Sequence, residues 1–166
     1  DQRAYGYHKP IMLAGGIGSI KQVQIKTGKP SSGDAVIVLG GPAMLIGLGG
    51  GSASSTKKTS ENADLDYASV QRSNPEMQRR AQQVLDKFNE RSSKNPITFI
   101  HDVGAGGISN AIPELAKDTN LGVEINLEKI DSADQTMSPM ELWCNESQER
   151  YVFTIPMAKV PALDHI

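Results

Sequence analysis

A carboxylate and three glycines stand together in His101–Gly107, HDVGAGG. The preceding Ile97–Ile100 predicts a short buried strand, and Ile108–Lys117 predicts a helix that Pro113 interrupts. Glycines let backbone N–H groups approach a ligand, and a helix N-terminus attracts anions such as phosphate. Asp102 would then hold a cation beside that phosphate. The same residues are equally typical of a tight turn in which Asp102 caps the helix.

A second glycine loop and a polar stretch are further places where a ligand could bind. Gly47–Ser55 (GLGGGSASS) has small, uncharged residues around Gly49, Gly50 and Gly51. Its N–H groups could form an anion-binding nest, or the loop could be a flexible connection or a packed turn. Asn145–Arg150 (NESQER) is densely polar, and its side chains either point into a cleft or belong to an ordinary loop.

The composition excludes several classes of protein. With 166 residues, of which 38% are hydrophobic and 22% charged, the chain is long and apolar enough for one globular domain. A net charge of -2 gives no electrostatic basis for binding nucleic acid or an anionic membrane. The uncharged residues 35–55 are broken by Pro42 and by glycines, so they predict no membrane span. The single cysteine, Cys144, excludes a disulfide within the chain, fits a cytoplasmic location and predicts an inert thiol.

The elements that must position these residues alternate between strand and helix. Ala35–Leu39 (AVIVL) predicts a strand that is apolar on both faces and therefore central in its sheet. Asn74-Pro75-Glu76 predicts the start of an amphipathic helix that covers the sheet. Gly122–Leu127 alternates like a half-exposed strand, and Tyr151–Ile155 predicts another strand. Ser138–Glu141 is a capping box that predicts a short helix.

Long stretches of the chain resemble the large, single-polypeptide form of phosphoribosylformylglycinamidine synthase, an enzyme of purine biosynthesis. Five such stretches in series are far more specific than any one glycine motif. They are Gly6–Gly18 (GYHKPIMLAGGIG), Val38–Ser55 (VLGGPAMLIGLGGGSASS), Asp64–Arg80 (DLDYASVQRSNPEMQRR), His101–Leu115 (HDVGAGGISNAIPEL) and Ser138–Val152 (SPMELWCNESQERYV).

This resemblance implies a fold and a reaction. The synthetase region of that family contains two units similar to aminoimidazole ribonucleotide (AIR) synthetase, and this chain resembles the C-terminal half of the first. We therefore expect residues 1–166 to form a single α/β (α+β) domain, a layered mixed sheet flanked by helices, excised from a larger enzyme. The reaction converts formylglycinamide ribonucleotide, ATP and glutamine to formylglycinamidine ribonucleotide, ADP, phosphate and glutamate.

The resemblance also implies roles for particular residues. Asp102 matches an Mg²⁺-binding aspartate, and the catalytic histidine lies outside this chain, so we expect an inactive fragment with no catalytic residue of its own. The residues implied to contact the ribonucleotide substrate are Gln71, Glu146, Ser147 and Gln148. The resemblance gives no role for the loop Gly47–Ser55. From the residue types of the two loops, the glycines that could bind a phosphate of the nucleotide are Gly49, Gly50, Gly51, Gly104, Gly106 and Gly107.

An alternative of another class stays open at this point. Tandem units in this family can hold a structural nucleotide, so the chain could be a non-catalytic nucleotide-binding scaffold domain. His101 is either a positioning neighbour of Asp102 or a packed, hydrogen-bonded histidine. Surfaces that face missing parts of a larger enzyme would be apolar, so the fragment is predicted to self-associate.

Overall fold

The structure, a computed structural model, describes residues 13–26, 28–45, 74–91, 94–117, 119–147 and 149–165. Within these ranges the chain forms three strands, β1 (Asp34–Gly40), β2 (Phe99–Asp102) and β3 (Arg150–Pro156). Three α-helices accompany them: α1 (Pro75–Glu90), α2 (Ile108–Ala116) and α3 (Pro139–Cys144). Short 3-10 helices cover Gln22–Gln24, Leu127–Lys129 and Met157–His165. Among the helices in these ranges, none combines the length and the apolar character that a bilayer crossing requires.

The described strands form one antiparallel sheet in the order β1-β3-β2. Gly40 of β1 is level with Arg150, and Asp102 of β2 is level with Tyr151. Since β1 and β2 both run opposite to β3, the last residues of β1 and β2 and the first residues of β3 meet at one end of the sheet. We call this the site end, because the chemistry-bearing residues collect there.

Helices cover both faces of the sheet. Side chains of successive strand residues point to opposite faces, and the two hydrophobic clusters follow this alternation. On one face, Phe88 of α1 lies edge-on to Phe153, with ring centroids 5.9 Å apart. On the other face, Ile112 and Leu115 of α2 pack with Val152. The prediction of a layered α/β fold is confirmed; every strand pair of the described sheet is antiparallel, and Ala43 and Ser132 add one isolated parallel bridge.

Local capping signals predicted the helix starts well. The side chain of Asn74 accepts a hydrogen bond from the Met77 amide, and Pro75 occupies the first turn of α1. Ser138 and Glu141 form the complete capping box of α3. These interactions satisfy amide groups that a helix N-terminus leaves without partners.

Two predictions about the elements are wrong. Gly122–Leu127 forms no strand; Ile125 packs beside α2 without ladder hydrogen bonds. Pro113 does not interrupt α2, which continues to Ala116. The predicted strand Ala35–Leu39 lies within β1, with hydrophobic clusters on both of its faces, and β3 is its partner among the described strands; its central position stays a prediction. The strand predicted at Ile97–Ile100 exists two residues further along, so that Asp102 is its last residue.

Candidate functional site

The turn between α3 and β3, of which residues 145–147 and 149 are described, is the centre of the site end. Asn145, Glu146 and Ser147 are buried although all three are polar. Buried polar groups require hydrogen-bond partners. Asn145 bonds to nearby residues of α3 and β3, whereas the other described side chains of this turn bond to three distant parts of the chain. The turn therefore joins the strand ends into one structure.

The first partner is the glycine loop that follows β2. The amide of Gly106 donates a hydrogen bond to Glu146 Oε1 over 2.6 Å. Gly107 has a φ of +65°, and a Cβ atom there would collide with the carbonyl of Asn145. Only glycine tolerates both that backbone conformation and that close approach. The structure thus brings together two of the sequence motifs, HDVGAGG and NESQER.

The remaining partners of the turn lie at and just after the last residue of β1, and at the start of α1. Ser147 Oγ accepts from the amide of Met44 at 2.9 Å, and it lies 3.3 Å from the Met44 carbonyl oxygen. The amide of Asn74, the N-cap of α1, donates to Glu149 Oε1 at 2.9 Å. Gly40, the last residue of β1, lies so close to the Glu149 carbonyl that a Cβ atom would collide with it. The polar turn is therefore a structural hub as well as a candidate binding segment.

A buried guanidinium stabilises this turn from inside. Arg150 is only 2% exposed, and it donates to the carbonyl oxygens of Ser147 and Asn145, both at 2.9 Å. Its Nη2 also donates to Asn145 Oδ1 at 2.8 Å. Burial lowers the pKa of Arg150 to about 10, so the group still carries its charge at neutral pH. A charged donor shared among several acceptors fixes the backbone of the turn.

Asp102 ends β2 with its side chain 75% exposed. It does not cap α2, because the N-cap is Gly107, which has no side chain. The described residues contain no group of three or more His, Cys, Asp or Glu side chains that could hold a metal ion, and Asp102 is the carboxylate that the sequence analysis assigns to a cation. Mg²⁺ fits that arrangement, since it is often bound by one or two carboxylates together with phosphate oxygens and water.

His101 and Glu114 add a contact that sequence analysis did not find. His101 Nε2 lies 2.6 Å from Glu114 Oε2, and Nδ1 lies 2.6 Å from the carbonyl oxygen of Asp102. Both ring nitrogens thus have partners and the ring is 34% exposed, which is compatible with a packed, hydrogen-bonded histidine and with a positioning neighbour of Asp102. Glu114 lies thirteen positions from His101 in the sequence, and only the packing of α2 on β2 joins them.

The glycine loop uses two of its three predicted phosphate-binding amides internally. Gly106 donates to Glu146, and Gly107 donates to the carbonyl of Gly104 at 3.0 Å. A phosphate at these two amides would have to displace both protein acceptors. The role of Gly104, Gly106 and Gly107 in phosphate binding stays a prediction.

Some predicted site residues lie outside the described ranges. They are Gln71, Gln148, Gly49, Gly50 and Gly51, and their roles stay predictions. Among the described residues, the structure places Asp102, the glycine loop, Glu146 and Ser147 together at the site end.

Comparison with known proteins identifies the family. The model of the family described as AIR synthase related protein, C-terminal domain, matches residues 31–164. The chain belongs to this family. It is also similar to a solved structure of T. maritima PurL complexed with FGAR, at a TM-score of 0.68 and 24% identity, over 84% of this chain and 22% of that one.

Two more structures share the fold of this AIR synthase-related domain. T. maritima PurL complexed with ATP matches at a TM-score of 0.65 and 21% identity, over 88% of this chain and 21% of that chain. PurLQS from Thermotoga maritima matches at a TM-score of 0.62 and 23% identity, over 82% of this chain and 20% of that chain. The chain thus spans about a fifth of the length of the structures it matches.

Proposed function

We propose that this chain is the domain of a phosphoribosylformylglycinamidine synthase that contributes Mg²⁺ and substrate contacts. The whole enzyme would be an ATP-dependent C–N ligase with glutamine as amide donor, acting in purine biosynthesis in the cytoplasm. Its substrates would be formylglycinamide ribonucleotide and ATP, and its other domains would be partners of this one. Membership of the AIR synthase-related family supports this proposal, as do the neighbours described as complexes with FGAR and with ATP.

The observation that carries the proposal is the hydrogen bond between Gly106 and Glu146. It joins the loop that follows Asp102 to the segment that resembles the substrate-contacting stretch, although the two residues are 40 positions apart. Asp102 would hold Mg²⁺, whose charge offsets that of the nucleotide phosphates when it is bound. Glu146 orients the loop, while Ser147 and Gln148 would position the substrate.

Substituting Asp102 in the whole enzyme that contains this chain tests the proposal. Because its side chain is exposed, Asp102→Asn should lower the rate of ADP formation by about 100-fold or more and leave the melting temperature unchanged. Asp86→Asn, a matched substitution on the exposed face of α1, should change neither quantity. Activity retained in Asp102→Asn would contradict the metal role.

The alternative, a non-catalytic nucleotide-binding scaffold, has one observation in its favour. Glu146 and Ser147 are buried and bonded to the protein itself, as structural groups are. Under this alternative, Gln148→Ala and Asp102→Asn leave turnover intact and lower the melting temperature of the enzyme with bound ADP. Measuring both quantities on the same variants separates the two functions.

A further inference from the structure

The carbonyl group of Asp102 points away from the rest of the sheet. The amide of Val103 donates to the Arg150 carbonyl in β3 over 3.0 Å. In a trans peptide the C=O and the following N–H point in opposite directions, and the described chain has no cis peptide. The Asp102 carbonyl is therefore on the outer side of β2, where the described sheet ends.

His101 supplies the donor that a neighbouring strand would otherwise give. Its Nδ1 is 2.6 Å from the Asp102 oxygen, and its Nε2 is 2.6 Å from Glu114 Oε2 on α2. The other carboxylate oxygen, Glu114 Oε1, accepts from Asn110 Nδ2 at 3.4 Å, one helical turn earlier. A chain of hydrogen bonds thus runs from α2 to the peptide group that follows Asp102.

The ring lies beside the carboxylate of Asp102 as well as beside its peptide group. His101 Nδ1 is 3.8 Å from Asp102 Oδ1, while the Asp102 side chain stays 75% exposed. The ring can therefore fix the backbone and flank one carboxylate oxygen of Asp102 and still leave most of the carboxylate open to a ligand. That arrangement suits a group that orients a ligand and does not touch it.

We propose that His101 and Glu114 are positioning residues for Asp102. They hold the peptide plane after Asp102 and thereby aim its carboxylate at the bound cation. This inference rests on the proposed function, in which Asp102 binds Mg²⁺. Outer partners of metal ligands commonly contribute about 10-fold or more to metal affinity, and we expect that size of effect here.

The test measures binding of Mn²⁺, as a probe for the Mg²⁺ site, to the whole enzyme with ADP by isothermal titration. Glu114→Ala should raise the dissociation constant about 10-fold, and Glu114→Gln, which keeps an oxygen acceptor, should raise it less. His101→Leu should raise the dissociation constant for Mn²⁺ by about as much as Glu114→Ala does. His101→Asn, whose amide can replace the Nδ1–H donor, should restore most of the affinity. Glu90→Ala, at the exposed end of α1, is the control and should leave the constant unchanged.

A double variant shows whether the pair acts through Asp102. In the Asp102→Asn enzyme, adding Glu114→Ala should cause no further loss of Mn²⁺ affinity, because the group it orients is already gone. If Glu114→Ala and His101→Leu lower only the melting temperature and leave Mn²⁺ binding intact, the pair merely holds α2 and the inference is wrong. If Asp102→Asn itself leaves Mn²⁺ binding intact, the proposed function fails instead. If Glu114→Ala does not fold, His101→Leu and His101→Asn decide the question.

Discussion

At the scale of single residues, the site end depends on glycines where the chain approaches itself closely. Gly107, the N-cap of α2, has a φ of +65° and a ψ of −149°, and it lies against the carbonyl of Asn145. Gly33 also has a positive φ, +88°, but open space where a Cβ would lie. A Cβ would therefore collide with a neighbour at Gly107 and with none at Gly33.

Gly107→Ala is predicted to destabilise the chain far more than Gly33→Ala. For Gly33→Ala we expect only the cost of a positive φ, about 1–2 kcal/mol. Gly107→Ala combines a φ and ψ that are essentially restricted to glycine with a collision between a Cβ and the backbone of the polar turn, so the loss should be about 3 kcal/mol or more. Urea unfolding of both variants measures the difference, and equal losses would mean that the loop and the turn do not pack as closely as described.

At the scale of elements, α1 has a charged cluster in its first turn. Glu76 accepts hydrogen bonds from Arg79 at 2.9 Å and from Arg80 at 2.8 Å. Hydrogen bonds from Arg79 first, and then Arg80, lower the pKa of the Glu76 carboxyl from 4.5 to about 2. The carboxylate also faces the positive end of the helix dipole.

This cluster predicts a pH dependence of stability. Because the folded pKa of Glu76 is depressed, its contribution is complete above pH 4.5 and is lost as the pH falls toward about 2. Glu76→Gln should therefore unfold more easily than the parent chain above pH 4.5 and lose less stability across that window. The pair is exposed, so added salt should reduce the difference. Denaturant midpoints of both chains across this pH range, at low and high salt, measure the difference in stability. If the two midpoints fell in parallel as the pH is lowered, the contribution assigned to Glu76 would be contradicted.

At the scale of the whole molecule, apolar side chains of the N-terminal described segment face solvent. Leu13 is 90% exposed and Ile17 is fully exposed, while Ile20, Val23 and Ile25 are also largely accessible. Exposed apolar residues grouped in this way are typical of surfaces that contact another protein. In the proposed enzyme, the other domains would cover them.

The isolated chain is predicted to self-associate through this segment. The double substitution Ile17→Lys and Ile20→Lys should reduce the apparent mass in light scattering toward that of a monomer. Met157→Lys, which adds one such charge at an exposed apolar residue elsewhere, is the control and should not. A strictly monomeric parent chain at high concentration would refute the prediction.

Local sequence determined the helix starts and the existence of β1 and β3, because the interactions that form them join near neighbours. Asn74 caps α1 three residues away, and Ser138 and Glu141 cap α3 over the same distance. The candidate roles of Asp102 and of the polar turn also came from the sequence, through a resemblance that long motifs carried. The positions of these residues in space were not part of that information.

Tertiary structure alone decided how the strands pair and which residues of the site meet. An alternation of apolar and polar residues indicates burial but not hydrogen-bonded neighbours, so Gly122–Leu127 was mistaken for a strand. The contacts of Gly106 with Glu146 and of His101 with Glu114 join residues with no local pattern between them. Such contacts follow from the packing of α2 and the polar turn against the sheet, which no short stretch of sequence encodes.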